Sequence, residues 1–309
     1  METTRAKYEQ LIGDLRTELR PQREWSQGRG IFMVIGHFVV GVAGGTWLFS
    51  LLYGNRMGLT FAFVLGALGG VLHLLNLGHP GRAWKMVLQF RRSWVSRGFL
   101  GLSLFLAGGF LYLVPMWMPG APWGGDSVLA LIGKVVSILG MVTIIGYMGF
   151  VYTASKGIPF WNSPLHPALY IGYALRGGIA GLLLAQLADG AWLANLNTLL
   201  LLWTGITAIV ALFFGLEIHG ALNSGNAAAR RSVHELFAGS VAIYFYGGIL
   251  LLGVLVPASL VWAGLSGPVS AGAMITLALA SAVGDFYMKY STIRAGVYLP
   301  VWTSFAPQR

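Results

Sequence analysis

No cysteine occurs anywhere in the chain, which excludes disulfides, thiolate metal sites and iron–sulfur ligation by its own residues. Charge is also scarce at 10% of residues, and acidic groups are the scarcer sign, with 10 Asp and Glu against 20 Lys and Arg. With 56% hydrophobic residues and a mean hydropathy of +0.70, a soluble globule would have too little polar surface to face water. HExxH, a nucleotide-binding glycine loop and a nucleophilic triad are missing as well, so the chain alone is not expected to be a complete enzyme. Any redox centre has to come from a partner.

What is present is a series of eight long apolar stretches: Ile31–Tyr53, Thr60–Leu77, Phe99–Met118, Val128–Val151, Ala168–Leu187, Leu196–Leu216, Phe237–Leu260 and Val269–Val283. Each approaches the ~20 residues that a helix rising ~1.5 Å per residue needs to cross a ~30 Å hydrocarbon layer, and the last is expected to continue toward Tyr287. Continuous apolar runs, unlike alternating ones, exclude a membrane β-barrel. The expectation is an all-α membrane protein of eight transmembrane helices, arranged as two four-helix bundles. Glycine pairs four residues apart, Gly41/Gly45, Gly66/Gly70 and Gly177/Gly181, fall inside spans and suit close helix packing.

Basic residues set the orientation. Arg5, Lys7, Arg16, Arg20, Arg23 and Arg29, then Arg82, Lys85, Arg91, Arg92 and Arg97, then Lys156, Arg230, Arg231, Lys289, Arg294 and Arg309 fall on the side of the termini; the opposite loops offer little beyond Arg56. Basic loops are retained inside, so the chain is expected in the cytoplasmic (inner) membrane, multi-pass, with both termini cytoplasmic. Topology and attraction to anionic lipid or an acidic partner account for the net charge of +10, with no need for nucleic acid. Residues 1–30 form an N-terminal interfacial segment, 31–288 the transmembrane domain and 289–309 a C-terminal tail. Within the first segment, Leu11, Leu15 and Leu19 with Arg16, Glu18 and Arg20 predict a short amphipathic surface helix ended by Pro21.

The richest loop runs from Leu72 to Phe99. Gly78, Pro80 and Gly81 break the second helix, and Ala83–Phe90 predicts a short interfacial helix with Trp84 at headgroup level. Arg82, Arg91, Arg92 and Arg97 follow, interleaved with Ser93, Trp94 and Ser96. On composition this is a positive loop with an aromatic anchor. As chemistry, it would serve as a docking surface for an acidic electron-transfer protein, through Arg82, Lys85, Arg91 and Arg92, or as the polar mouth of a site for a lipid-soluble ligand.

"LGHPGRAWK" followed by "SWVSRG" resembles the signature of membrane-anchor subunits of the dimethyl-sulfoxide-reductase and polysulfide-reductase (DmsC/NrfD-like) family. "YTASKGIPFWNSPLHPALYIGYALRGG" (residues 152–178) and "MKYSTIRAGVYLP" (residues 288–300) are similar to two further stretches of that family. The resemblance implies an eight-helix subunit that reacts with menaquinone or ubiquinone, carries no haem or cluster of its own, and is bound to an iron–sulfur subunit and a molybdenum or tungsten catalytic subunit. Two departures stand out. Asn76 replaces a usual His, with His73 one turn earlier, and Gly98 replaces a usual Glu.

Quinone chemistry exchanges two protons, so it needs donors and acceptors near the carbonyls. Histidine, with an ordinary pKa of ~6.5, suits that task, and ionisable groups inside a membrane are functional suspects. His37 and His73 lie at comparable depth on one side, if their helices are neighbours. They are the expected proton-handling pair, within a quinone site of His37, His73, Asn76, Arg82, Trp94, Arg97 and Tyr152. No metal ligand set is expected. Lys134 reads as a snorkelling cation. Arg176 is expected to pair with a backbone or with Asp285. Glu217 and His219 read as solvated helix ends, and His79, His166 and His234 as loop residues. Two other classes remain open: a b-haem cytochrome ligated by His37 and His73, and a secondary transporter with helices broken near mid-bilayer.

Overall fold

The computed structural model of the protein describes residues 18–300, preceded by 4–6, 8, 9, 12 and 13. Of the expected surface helix, Leu11, Leu15 and Arg16 lie outside the described residues, and Glu18 to Arg20 are not helical. The tail beyond residue 300 likewise lies outside them.

The helices are α1 (Gly30–Leu52), α2 (Arg56–Asn76), α3 (Trp94–Trp117), α4 (Val128–Thr153), α5 (His166–Asp189), α6 (Leu196–Asn223), α7 (Ala227–Phe237), α8 (Tyr244–Ser266) and α9 (Ala271–Arg294). All but α7 are long and apolar enough to cross a membrane, which makes eight spans among the described residues. A tighter 3-10 helix, Pro80–Gln89, occupies the interfacial stretch between α2 and α3. Side-chain caps start several spans: Asn55 accepts from the Gly58 amide, Ser93 from Ser96, Ser127 from Ala130 and Ser270 from Ala273. Each satisfies one amide that the helix itself leaves unpaired. No β-strand is present among the described residues beyond an isolated bridge between Pro21 and Val297.

Several span ends differ from the apolar runs: α3 begins at Trp94, α6 continues to Asn223 and α8 to Ser266, and two further ends have a clear cause. Helix α9 continues to Arg294, because Lys289 is buried and the helix need not end where charge begins. Helix α8 begins at Tyr244 and not at Phe237. Glu235, at the end of α7, accepts from both the amide and the hydroxyl of Ser240 at 3.1 Å and pairs with Arg231, which closes a turn that an apolar run conceals.

Helices α1 to α4 form one bundle and α5, α6, α8 and α9 a second, joined chiefly where α1 packs on α5 and, less extensively, α4 on α5. At that junction Gly45 and Gly178 bring two backbones together; a Cβ on either would run into the other helix. Small residues at such crossings let helices approach closely enough for dispersion to hold them without a hydrophobic force from water. At the end that carries the termini, the Gln22 amide donates to Gly296 O at 2.7 Å, the Tyr298 amide to Arg20 O at 2.9 Å and the Trp161 indole to Thr292 O at 3.0 Å. These bonds knit the two terminal segments and the α4–α5 loop into one cap.

Inside the second bundle Arg176 donates to Asp285 through Nε at 2.8 Å and Nη2 at 2.6 Å, with the side chains 3% and 1% exposed. The expected pairing is thus present. Removing one partner leaves an uncompensated buried charge, a loss of about 3–5 kcal/mol. Asp285→Ala is expected to lower the thermal unfolding temperature in detergent sharply. The double variant Arg176→Met/Asp285→Leu should recover most of that loss; failure to recover would show that the pair contributes more than mutual neutralisation.

Candidate functional site

Helices α1 and α2 pack side by side at the level of their histidines: the His73 ring lies over Gly36, and Gly69 lies against Val40. The imidazoles of His37 and His73 consequently sit with centroids 5.0 Å apart, tilted by 50°. His73 Nδ1 lies 2.7 Å from the Gly69 carbonyl, which can only accept, so Nδ1 carries the proton and donates. Nε2 is then free to accept, and the Tyr147 hydroxyl lies 3.4 Å from it. His37 Nδ1 bonds the Tyr152 hydroxyl at 2.7 Å, and Lys289 Nζ reaches the His37 carbonyl at 3.4 Å. Gly98 has a definite role here. Any side chain at that position would collide with the Tyr147 ring, so the tyrosine fills the volume that a glutamate there would need.

The two histidines line a cavity of about 390 Å³, together with Asn76, Gly98, Tyr147 and the apolar side chains Val71, Leu74, Phe99 and Leu106. It lies in the seam between α2 and α3, which touch far less than α1 with α2 or α3 with α4. Outward-facing Val71 and Leu74 border it, so the opening faces where lipid would be. Trp25 closes the end toward the termini.

The other expected quinone residues are placed as follows. Tyr152 stands behind His37 and is bonded to it. Trp94 and Arg97 line a neighbouring depression of about 400 Å³, with Tyr147 as the shared wall. Arg97 donates to the carbonyls of Phe90 and Arg91 at 3.0 Å and stacks over Trp94 at 4.1 Å, which pins it away from the histidines. Arg82 is exposed outside the cavity, as are Lys85, Arg91 and Arg92. Among the described residues no three His, Asp or Glu side chains gather as a metal centre requires.

A second polar cluster was not legible as such. His166 is not a loop residue and Glu217 is not a solvated end: His166 Nδ1 and Glu217 Oε1 are 2.9 Å apart, both side chains 1% exposed. His166 is the first residue of α5, followed by Pro167 at a position where a helix tolerates proline. Extending the apolar run back through that proline would have found it. Tyr152 packs edge-on against His166 at 6.0 Å and near Tyr170 at 5.2 Å, so the cluster adjoins the histidine pair across the bundle junction. Lys289, counted from sequence among the loop cations, is buried over the Tyr170 ring at 5.3 Å. His79 and His219 are exposed, as expected; His234 is exposed too, but it lies in the last turn of α7 and not in a loop, because the Asn226 cap starts a short amphipathic helix there.

Fold and site together define a multi-pass membrane protein whose polar groups gather beneath a cavity opening sideways toward lipid. The sequence matches the family described as polysulphide reductase, NrfD, over residues 27–300, and the chain belongs to that family. It is a membrane subunit of an oxidoreductase complex. Protein NrfD of Escherichia coli is 25% identical over 269 residues, covering 76% of this chain and 79% of that one. The NrfD homolog of Haemophilus influenzae is 23% identical over 65% of this chain and 69% of its own length. A sulfite dehydrogenase subunit of Allochromatium vinosum is 28% identical over 44% of this chain and 43% of its own length.

Glu217→Ala leaves the Nδ1 of a buried imidazole without its partner, a loss of about 1–3 kcal/mol. Glu217→Gln keeps an acceptor there. Thermal unfolding in detergent should therefore fall clearly for the alanine variant and little for the glutamine variant; equal losses would mean that charge, not hydrogen bonding, holds the pair.

Proposed function

We propose that this chain is the quinone-reactive membrane anchor of a molybdenum or tungsten oxidoreductase, passing electrons between the quinone pool and an iron–sulfur subunit. The observation that carries the reading is the His37/His73 pair at the floor of an apolar cavity open toward lipid. Apolar walls suit a ring and its isoprenoid tail; a tyrosine hydroxyl and the Asn76 amide can donate to quinone carbonyls, while the bare Nε2 of His73 can accept from a quinol hydroxyl. When bound, the quinone takes up two electrons and two protons as it becomes quinol, or releases both in reverse.

The residues then divide the work. His73, oriented by the Gly69 carbonyl, holds or accepts a proton at Nε2. His37 is bonded to Tyr152, whose ring packs against His166 of the His166–Glu217 pair. Glu217 borders a surface depression of about 600 Å³ with Lys156, Asn162 and Ser163, which gives water a place to meet the chain of polar groups. The exposed Arg82, Lys85, Arg91 and Arg92 would hold the acidic iron–sulfur partner at the same end. The positive-inside rule makes that end cytoplasmic. A cytoplasmic partner fits a sulfite-oxidising complex, in keeping with the similarity to a sulfite dehydrogenase subunit.

Geometry weighs against the two other classes. Rings 5.0 Å apart on helices whose backbones touch leave no slot for a macrocycle between them. Each span among the described residues runs continuously through its apolar stretch, without the unwound midpoint that a transporter uses.

His73→Gln and His37→Gln keep polarity but lose titration near neutral pH, and each should slow quinone turnover of the intact complex by about 10²-fold. Dye-linked activity of the catalytic subunit should be unchanged. If both variants match the parent over ~pH 5 to 8, the proton assignment is wrong. A separate check concerns docking: Arg91→Glu/Arg92→Glu should release the soluble subunits at moderate salt, and a reporter fused after Arg309 should read as cytoplasmic.

A further inference from the structure

The second bundle holds a cavity of about 330 Å³ in a seam of its own, between α6 and the first half of α8. Tyr173, Arg176, Thr207, Phe214 and Phe245 are among the residues that line it. Its place matches that of the first cavity. Helices α1 and α5 start at the same end of the molecule, since the chain crosses four times, through α1 to α4, between their starts, and His37 and Tyr173 each lie seven residues past the first residue of their helix, ~10 Å along it.

Three features distinguish this cavity from a gap between helices. The Tyr173 and Thr207 hydroxyls are buried and have no hydrogen-bond partner, which is costly in a lipid environment unless a ligand supplies one. Arg176 is already neutralised by Asp285, so the polar groups on offer are neutral donors and no free cation awaits a phosphate. Residues Tyr244–Leu255 of α8 are wound as a π-helix, a rare form found mostly at functional sites, and they bring Phe245 to the cavity, stacked near Phe214.

We propose that this cavity is a second ligand site, taking a neutral lipid-soluble molecule whose ring head bears carbonyl or hydroxyl oxygens and whose tail leaves between α6 and α8. Aromatic walls suit a flat ring, and two unpaired hydroxyls suit its oxygens. The site stands independently of the function assigned to the His37/His73 cavity, although the same class of molecule fits both.

A photoreactive azido-benzoquinone with a decyl tail, applied to the complex as purified, tests this directly. Labelled peptides are expected from both seams: residues 71–76 and 99–106 for the first, and 207–218 and 245–254 for the second. A side chain added at Gly215 meets open space, so Gly215→Phe should fill the second cavity without disturbing the helix. It should reduce labelling of 207–218 and 245–254 by about tenfold or more while sparing the first seam. Ala211→Phe, at another lining position, should do the same. Tyr173→Phe/Thr207→Val should weaken labelling there about tenfold, the effect of roughly one hydrogen bond. Absence of label from the second seam in the parent, label there that survives both filling variants, or label displaced by excess phospholipid but not by unlabelled decyl-benzoquinone would each overturn the proposal. Label in the second seam with none in the first would uphold it and defeat the quinone assignment of the first cavity instead.

Discussion

The polar contacts that cross from one bundle to the other depend on how closely α1 and α5 approach. Their backbones meet at Gly45 and Gly178, where neither helix has a side chain to hold the other off. Lipid supplies no hydrophobic force between helices, so contact area and satisfied polar groups must hold the bundles together. The approach brings Lys289 of α9 under the His37 carbonyl and sets Tyr152 of α4 beside His166 of α5. A bulkier residue at the crossing would part the bundles and leave each of these groups facing hydrocarbon.

The buried groups fall into pairs for the same reason. Arg176 with Asp285, His166 with Glu217, His37 with Tyr152 and His73 with the Gly69 carbonyl each answer one desolvated group with another. Not every buried group is answered: among the described residues the Tyr170, Tyr173 and Thr207 hydroxyls, His166 Nε2 and Glu217 Oε2 lack partners near the cavities and the bundle junction, and so do others elsewhere, such as Trp47 Nε1, Ser50 Oγ and Gln22 Nε2.

Both cavities lie in seams where successive helices barely touch, and both have polar side chains at one end and apolar walls beyond. Tight pairs such as α1 with α2 and α3 with α4 give rigidity, while the loose seam between pairs gives access from the side. Basic side chains at the terminal end stay outside these seams. Arg97 shows how: two backbone carbonyls and the Trp94 face hold it at the surface depression.

Spans, their number and the depth of His37 and His73 were legible from sequence, because ~20-residue apolar runs and a fixed rise per residue determine where along the membrane normal each residue lies. Asn76, which lines the cavity, was singled out by the family resemblance alone, and Asp285 was one of two partners expected for Arg176. Azimuth was not legible. Which way a residue faces around its helix, and which helix it then meets, is decided by packing between elements far apart in the chain. His166 and Glu217 therefore read as separate, solvated residues, although tertiary structure buries them together. Trp94 and Arg97 read as part of the histidine site, although Tyr147, seated on Gly98, walls them off. Sequence by itself determined depth, hydrophobicity and the side to which charge gathers; only the folded bundle decided which groups at equal depth meet, because that depends on glycine-mediated crossings whose partners no local pattern reveals.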